Sequence, residues 1–292
     1  MQIALFGTPF PEHFTKYIQH LVKKLEAEHI QIFIEEEFNV FLQNNIRFNK
    51  KVHTFNSHET LRSKVDFLFS IGGDGTLLKA VTYVRDSEIP ILGINTGRLG
   101  FISSISAAQI DDAVNDIMKK NYILNERTLL ELSTSKNLFK EKNFALNEVA
   151  VSKKDTSSMI RIDAFVDDEF LNTYWADGLV VSTPTGSTGY SLSCGGPIIM
   201  PGTNNIIITP NAPHNLNVRP IVIDDNSVIK LKVEDRDQLA LISLDSRSRA
   251  FDSETELTIK KAPFKIKLVQ PQNNSFTKTI RQKLMWGLDK RS

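Results

Sequence analysis

A single cysteine, Cys194, excludes an intrachain disulfide, which fits a reducing compartment. It lies in an apolar, glycine-rich stretch and reads as a small packing residue rather than a reactive thiol. No apolar run reaches the roughly 20 residues needed to span a bilayer. The 35 basic and 34 acidic residues leave a formal net charge of +1, so bulk charge favours neither nucleic acid nor an anionic membrane surface. Any anion must be held by local geometry. The six histidines show no metal-ligand spacing, and no tightly held transition metal is expected. Internal repeats and low-complexity segments are absent. Met1–Gly7 has neither a basic leader nor a long enough apolar run for a signal peptide, and a cytoplasmic protein is expected.

What is present is a change of pattern along the chain. Its 292 residues suffice for one large domain or two modest ones. In the first third, strand-like and helix-like segments alternate. Residues 2–7, 30–34, 65–71 and 89–94 read as buried strands. Phe14, Tyr17, Ile18, Leu21, Val22 and Leu25 form a helical stripe, as do Ile110, Ala113, Val114, Ile117 and Met118. A helix is expected over 76–85. This alternation argues for an α/β domain, residues 1–121, with a mostly parallel sheet. Short strands then dominate. Ile229, Leu231 and Val233 alternate with charged neighbours, as do Phe264, Ile266 and Leu268. Segments 161–166 and 170–175 flank Asp167-Asp168-Glu169 as a hairpin. A β-rich domain is therefore expected over 122–275, ending in a short linker, 270–275. The tail, 276–292, opens with a helix expected to pack back on the first domain.

The most informative segment is Gly72-Gly73-Asp74-Gly75-Thr76, where a buried strand gives way to a helix. Ligands of parallel α/β folds bind at the carboxyl ends of strands. Glycines there let the backbone approach a phosphate, and free N–H groups face the anion. A carboxylate repels phosphate, so Asp74 needs a reason. It could hold a Mg²⁺ that bridges phosphates, accept the hydrogen bond and finally the proton of an attacking hydroxyl, or simply cap the helix. The G-x-G-x-x-G spacing is missing and no Gly-Lys-Ser/Thr follows, which excludes a dinucleotide fingerprint and a P-loop. Residues 93–101 form a second glycine-rich loop at the next strand exit, where Arg98 either meets a phosphate or is simply solvated. Asn147 and Glu148 are adjacent polar residues in an apolar strand-like run: either a strand end, or an amide that reads an adenine edge beside a carboxylate that accepts from ribose hydroxyls. Residues 177–191 run from an apolar strand into a loop dense in hydroxyls and glycine. Such a loop suits a base or ribose, but is also a common kind of surface turn.

Together these segments resemble the NAD kinase family, over residues 66–286. The matching pieces are Gly72–Thr76, Thr96–Phe101, Asn147-Glu148 and Asp177–Tyr190. To these are added Thr209-Pro210, Ala212-Pro213-His214 and Arg219-Pro220, and the tail from Thr279 to Trp286. The glycine–aspartate loop is shared with lipid kinases and phosphofructokinases, whereas Thr183-Pro184-Thr185-Gly186-Ser187-Thr188 is far more specific. The resemblance implies an α/β and a β-rich domain with NAD between them, and transfer of the ATP γ-phosphate to the adenosine-ribose 2′-hydroxyl of NAD. It implies that Asp74 is the catalytic residue facing that hydroxyl. Gly72, Gly73, Gly75, Thr76 and Arg98 then form the ATP phosphate loop. Asn147, Thr188 and Tyr190 line the adenine side and Glu148 the ribose. Asp177, approached across a subunit interface in related oligomers, serves the nicotinamide end. Gly75, Phe101, Thr185, Ser187, Gly189, Ala212 and His214 complete the NAD-binding set. Mg²⁺ is expected to arrive with ATP, with no protein ligands assigned, and the chain to form a homodimer or homotetramer. Gly189 departs from the alanine of many members, a change expected to be tolerated. A lipid kinase and a non-catalytic NAD-binding regulator are the alternatives. The adenosine-binding segments and the lack of a membrane-facing amphipathic stretch oppose the first, and the retained acid at 74 opposes the second.

Overall fold

The computed structural model describes residues 1–97, 100–103, 105–154, 158–234, 239–253, 255–271 and 275–286. The chain forms two compact units, Met1–Glu126 with Ile266–Ser292, and Arg127–Lys265.

In the first unit, β1 (Gln2–Gly7), α1 (Thr15–Ala27), β2 (Gln31–Glu35), α2 (Glu36–Asn45), β3 (His53–Phe55), α3 (His58–Leu61), β4 (Phe67–Ile71), α4 (Asp74–Val84), β5 (Ile91–Ile94) and α5 (Ile110–Met118) follow in order. The strands pair in parallel in the order β3-β2-β1-β4-β5. Parallel pairing needs crossovers, and the helices supply them while covering the sheet. That is why every residue of β4 and β5 is buried. The α1 stripe buries Ile18, Leu21, Val22 and Leu25, and the α5 stripe Ile110, Ala113, Val114 and Ile117, in one apolar core with Leu5, Phe69 and Ile94. Helix α2 and strand β3 are not legible as periodic segments. The N-terminus of α2 is fixed locally, by Glu35 accepting the Phe38 N–H at 2.9 Å.

The chain enters the second unit along β6 (Tyr122–Thr134). There follow β7 (Phe144–Ala145), β8 (Glu148–Lys153), β9 (Ile160–Val166), β10 (Glu169–Ala176), β11 (Gly178–Ser182), α6 (Tyr190–Ser193), β12 (Asn205–Asn211), β13 (Ile221–Asp224), β14 (Ile229–Glu234), β15 (Leu239–Leu244) and β16 (Arg247–Asp252). It returns along β17 (Leu257–Pro271), whose Leu268 pairs in parallel with Ile91, and ends in α7 (Phe276–Leu284). Six strands pair antiparallel in the order β13-β12-β11-β8-β15-β16. A second antiparallel set runs β10-β9-β14-β17. Val149, Val151, Val181 and Ile208 of the first set share one core with Ile160, Ile162, Leu231 and Ile259 of the second.

The expected fold class therefore holds: a mostly parallel α/β part and a β-rich part. The β9–β10 hairpin turns through Asp167 and Asp168, both at positive φ (52° and 68°), the geometry of a two-residue turn that matches strand twist. The linker expected at 270–275 is partly strand. Gln270 and Pro271 extend β17, and the Asn125 amide donates to the Gln270 side chain. Residues 272–274 lie outside the described residues, as do 287–292 of the tail.

Candidate functional site

In the first unit the site is built where β4 ends. Gly72 takes φ +153°, and a Cβ there would stand 2.2 Å from Thr76 Oγ1, so only glycine fits the turn. Its N–H donates to the Ile94 carbonyl at 2.9 Å, tying the loop to the neighbouring strand exit. Gly73 and Gly75 differ: a Cβ on either would meet nothing within 4 Å. Packing does not require glycine there, and both face open space. The helix begins at Asp74, two residues earlier than the apolar pattern indicates, so Asp74 lies in its first turn, beside the free N–H groups. Thr76 is buried and its hydroxyl lies 3.1 Å from that of Thr8.

Asp74 does not cap its own helix; Gly73 stands at the cap with no side-chain bond. Its carboxylate instead accepts three backbone N–H groups of the second glycine-rich loop. Oδ2 accepts from Phe101 at 2.7 Å, and Oδ1 from Ile102 at 3.2 Å and Ser103 at 2.8 Å. The Ser103 hydroxyl donates to the Gly72 carbonyl at 3.1 Å, closing the two loops on each other. Asn95 accepts the Gly97 N–H at 2.7 Å and shapes the start of that loop. The structure thus brings Gly72, Gly73, Asp74, Gly75, Thr76 and Phe101 together. Arg98 lies outside the described residues. Lys283 of α7 stands 5.2 Å from the centre of the Phe101 ring.

In the second unit the polar pair sits in a break between strands. Asn147 lies between β7 and β8, and Glu148 begins β8. The break is held by Asp245, just past the end of β15. Its carboxylate accepts the N–H groups of Leu146 at 3.0 Å, Asn147 at 2.8 Å and Glu148 at 3.2 Å, while its own N–H donates to the Glu148 carbonyl at 3.0 Å. Glu148 is only 9% exposed. Burial first, then the Asp245 carboxylate, pushes its carboxyl up to about 8, against the Tyr190 backbone, which pulls it down. Its Oε2 and the Asn147 Oδ1 are buried atoms without a protein hydrogen-bond partner. Buried polar atoms are normally paired, so two adjacent orphans are candidate contacts for a ligand or for ordered water.

The hydroxyl-rich loop wraps this pair. Thr183 donates its hydroxyl to the Leu146 carbonyl at 2.6 Å and its N–H to the Asn147 carbonyl at 2.9 Å. Gly186 passes so close that a Cβ would stand 2.1 Å from the Asn147 carbonyl oxygen. Ser187 is fully buried. Its hydroxyl donates to Pro184 O at 2.7 Å and accepts from Ile199 N at 3.0 Å, so it shapes the loop. Thr185 is buried and Thr188 half-buried, with the Thr188 hydroxyl 3.2 Å from the Thr185 carbonyl. Tyr190 is exposed, and its hydroxyl accepts from the Asn211 amide at 2.8 Å. Burial raises both the Tyr190 phenol and the Cys194 thiol above their ordinary ranges, which suits a packing role for Cys194.

Asn211 also anchors the next expected group. Its carbonyl accepts the Asp177 N–H at 3.0 Å, and Ala212 follows at φ +46°. Asp177 pairs with Lys153 at 2.7 Å, and the His214 N–H donates to the Trp175 carbonyl at 2.8 Å. Ser103, Asn211 and Asp245 were not singled out from the sequence. Ser103 stood two residues past a marked loop. Asp245 acts across about a hundred residues, a separation no local pattern signals.

Two family models match the chain: the ATP-NAD kinase N-terminal domain over residues 3–122 and the ATP-NAD kinase C-terminal domain over 146–271. A protein of Cytophaga hutchinsonii named NAD kinase is 50% identical over 293 residues, covering all of both chains. One of Christiangramia forsetii with the same name is 46% identical over 294 residues, again covering both in full. Among solved structures, an Archaeoglobus fulgidus NAD kinase in complex with ATP is 26% identical with a TM-score of 0.74, over 98% of this chain and 99% of that one. Yeast NADH kinase complexed with NADH superimposes with a TM-score of 0.88 at 22% identity, over 99% and 89%.

Proposed function

The chain belongs to the NAD kinase family and phosphorylates NAD, and from that premise we propose that Asp74 directs the ATP γ-phosphate to the 2′-hydroxyl of the adenosine ribose. The observation that carries this reading is the Asp74 carboxylate itself, oriented by three backbone N–H groups beside two glycines that face open space. A carboxylate offers about four acceptor positions, and three are taken. The fourth, on Oδ2, can accept from a substrate hydroxyl. Phosphoryl transfer passes through a loose transition state, so early deprotonation of the nucleophile gains little. Asp74 therefore orients the hydroxyl and takes its proton late. General-base help is worth about 10²–10⁴-fold, against effective molarities of about 10⁵–10⁸ M from fixed alignment, so positioning outweighs basicity.

The backbone of Gly72–Thr76, with Arg98, holds the ATP phosphates. The orphaned acceptors of Asn147 and Glu148, with Thr188 and Tyr190, receive the adenosine half of NAD; Thr185, Ser187 and Gly189 of the same unit, and Gly75 and Phe101 of the first, are the further NAD-binding residues of the reading. Asp177, Ala212 and His214 serve the nicotinamide half. No Mg²⁺ ligand is assigned to the chain, and Mg²⁺ enters with the nucleotide substrate, bridged by its phosphates. A homodimer or homotetramer in the cytoplasm completes the reading. Trp175 and Leu216, 53% and 84% exposed near Asp177 and His214 in the chain, support self-association, and among the described residues no helix is long and apolar enough to cross a membrane.

The test is NADP formation from NAD and Mg-ATP by the wild type and by Asp74→Asn. Product from the first and almost none from the second is expected. A folded wild type that makes no NADP overturns the substrate assignment.

A further inference from the structure

We propose that Asp245 is a positioning residue for NAD recognition: its buried carboxylate holds the Leu146–Glu148 backbone so that the orphaned acceptors of Asn147 and Glu148 face the substrate. The inference rests on the proposed contact of those two residues with NAD. Four hydrogen bonds join Asp245 to the two-residue break between β7 and β8 and to the first residue of β8, three into its carboxylate and one from its N–H to the Glu148 carbonyl. On the β15 side no strand pairing reaches this segment, because the register of β8 with β15 covers only Val149–Lys153. The Asp245 backbone adopts φ +52°, a conformation that aspartate tolerates better than most residues and that turns the carboxylate back onto the break. Arg247, two residues on, donates to the Lys142 and Phe144 carbonyls, tying the same turn to the other side of the break. The turn thus grips the segment on both sides, yet places no atom against Asn147 Oδ1 or Glu148 Oε2, which stay unpartnered.

Charge is the second part of the role. Burial raises the Asp245 carboxyl, while the three N–H bonds and Arg247 pull it down. Its carboxylate in turn opposes ionisation of Glu148. Arg247 is the other charged group acting on Asp245, and Glu148 in turn adds to the rise that burial gives the Tyr190 phenol and the Cys194 thiol.

The experiment compares steady-state kinetics of wild type, Asp245→Asn, Asn147→Ala, Glu148→Gln and the double variant Asp245→Asn/Asn147→Ala in the full chain. The Asn side chain keeps Oδ1 for two N–H groups but turns an amide on the Leu146 N–H. The NAD KM is expected to rise about tenfold, with the ATP KM and kcat at saturating NAD within about threefold of wild type. Because Asp245 acts through the segment, the double variant should be no worse than about twice Asn147→Ala, rather than the product of the two single effects. An unchanged NAD KM, a matching rise in both KM values, or multiplicative effects would overturn the proposal. Asp245→Glu keeps the charge and moves the carboxylate by one methylene; a wild-type NAD KM there would also overturn it, and this variant decides the matter if Asp245→Asn does not fold. If neither Asn147→Ala nor Glu148→Gln alters the NAD KM, the NAD-binding reading of the segment fails first, a result separable from any effect of Asp245.

Discussion

A Cβ on Gly100 would stand 1.9 Å from Asp74 Oδ1, so the second glycine-rich loop lies against the carboxylate with no room for a side chain. Nothing within real contact distances accommodates that approach, so either Asp74 or the loop must shift. A misplacement of about 1 Å near reacting groups can cost about 100-fold in rate. Gly100→Ala is therefore expected to lower kcat about 100-fold while the NAD KM changes little. Coupled NADP formation beside a thermal melt checks it. A folded variant with near-normal kcat would show that the close approach of the loop does not govern turnover.

Replacing the acid itself separates chemistry from binding. Asp74→Asn removes the proton acceptor and turns an amide toward backbone N–H groups that need acceptors. The expected result is a loss of kcat of about 100-fold or more, with NAD affinity by calorimetry within about threefold of wild type. Equal losses in both would mean that Asp74 chiefly holds the Phe101–Ser103 loop in place.

Much of this arrangement is legible in the amino-acid sequence itself. The period-3.6 stripes of α1 and α5 and the all-apolar β4 announced a covered parallel sheet, because burial on both faces leaves no other composition. The strand-to-helix glycine loop marked the candidate site, because tight turns restrict residue type. What escaped notice depends on distance or on backbone. The partners of Asp74 are main-chain N–H groups, which carry no sequence signal. Asp245 meets Leu146 across 99 residues, and its neighbours Leu244 and Ser246 give no hint of it. Helix α2 was missed because its polar residues outnumber the stripe formed by Phe38 and Leu42.

The glycine at 189 also has a local reading. Its φ of −97° lies outside the left-handed region that favours glycine. A Cβ would stand 3.0 Å from Glu148 Oε2 and 3.3 Å from Asn147 Nδ2, tight contacts with the two polar side chains that await partners. Both can yield by a few tenths of an ångström. Gly189→Ala is expected to leave the melting temperature essentially unchanged and to alter the NAD KM by no more than about threefold. A large fall in melting temperature would mean that the Glu148 carboxyl cannot move.

Glu148 gives the protein a pH dependence of definite sign. Its carboxyl is pushed from an ordinary 4.5 to about 8, by burial and then by Asp245. A carboxyl raised on folding binds its proton more tightly in the folded than in the unfolded state. Its contribution to stability is therefore fully present below about 4.5 and is lost as pH rises through about 8. The wild-type melting temperature is expected to fall more steeply across that window than that of Glu148→Gln. NAD works in the opposite direction. Ribose hydroxyls donate best to an ionised carboxylate, so on the proposed ribose contact NAD binding is expected to release a proton and to tighten as pH climbs toward about 8. Above that value the affinity levels off, because the carboxylate is already ionised. Calorimetric NAD titrations from about pH 6 to 9 in buffers of different ionisation enthalpy would count the released proton. A wild type whose affinity is as flat with pH as that of Glu148→Gln would remove the ribose contact from Glu148, leaving Asn147 as the acceptor on which the segment relies.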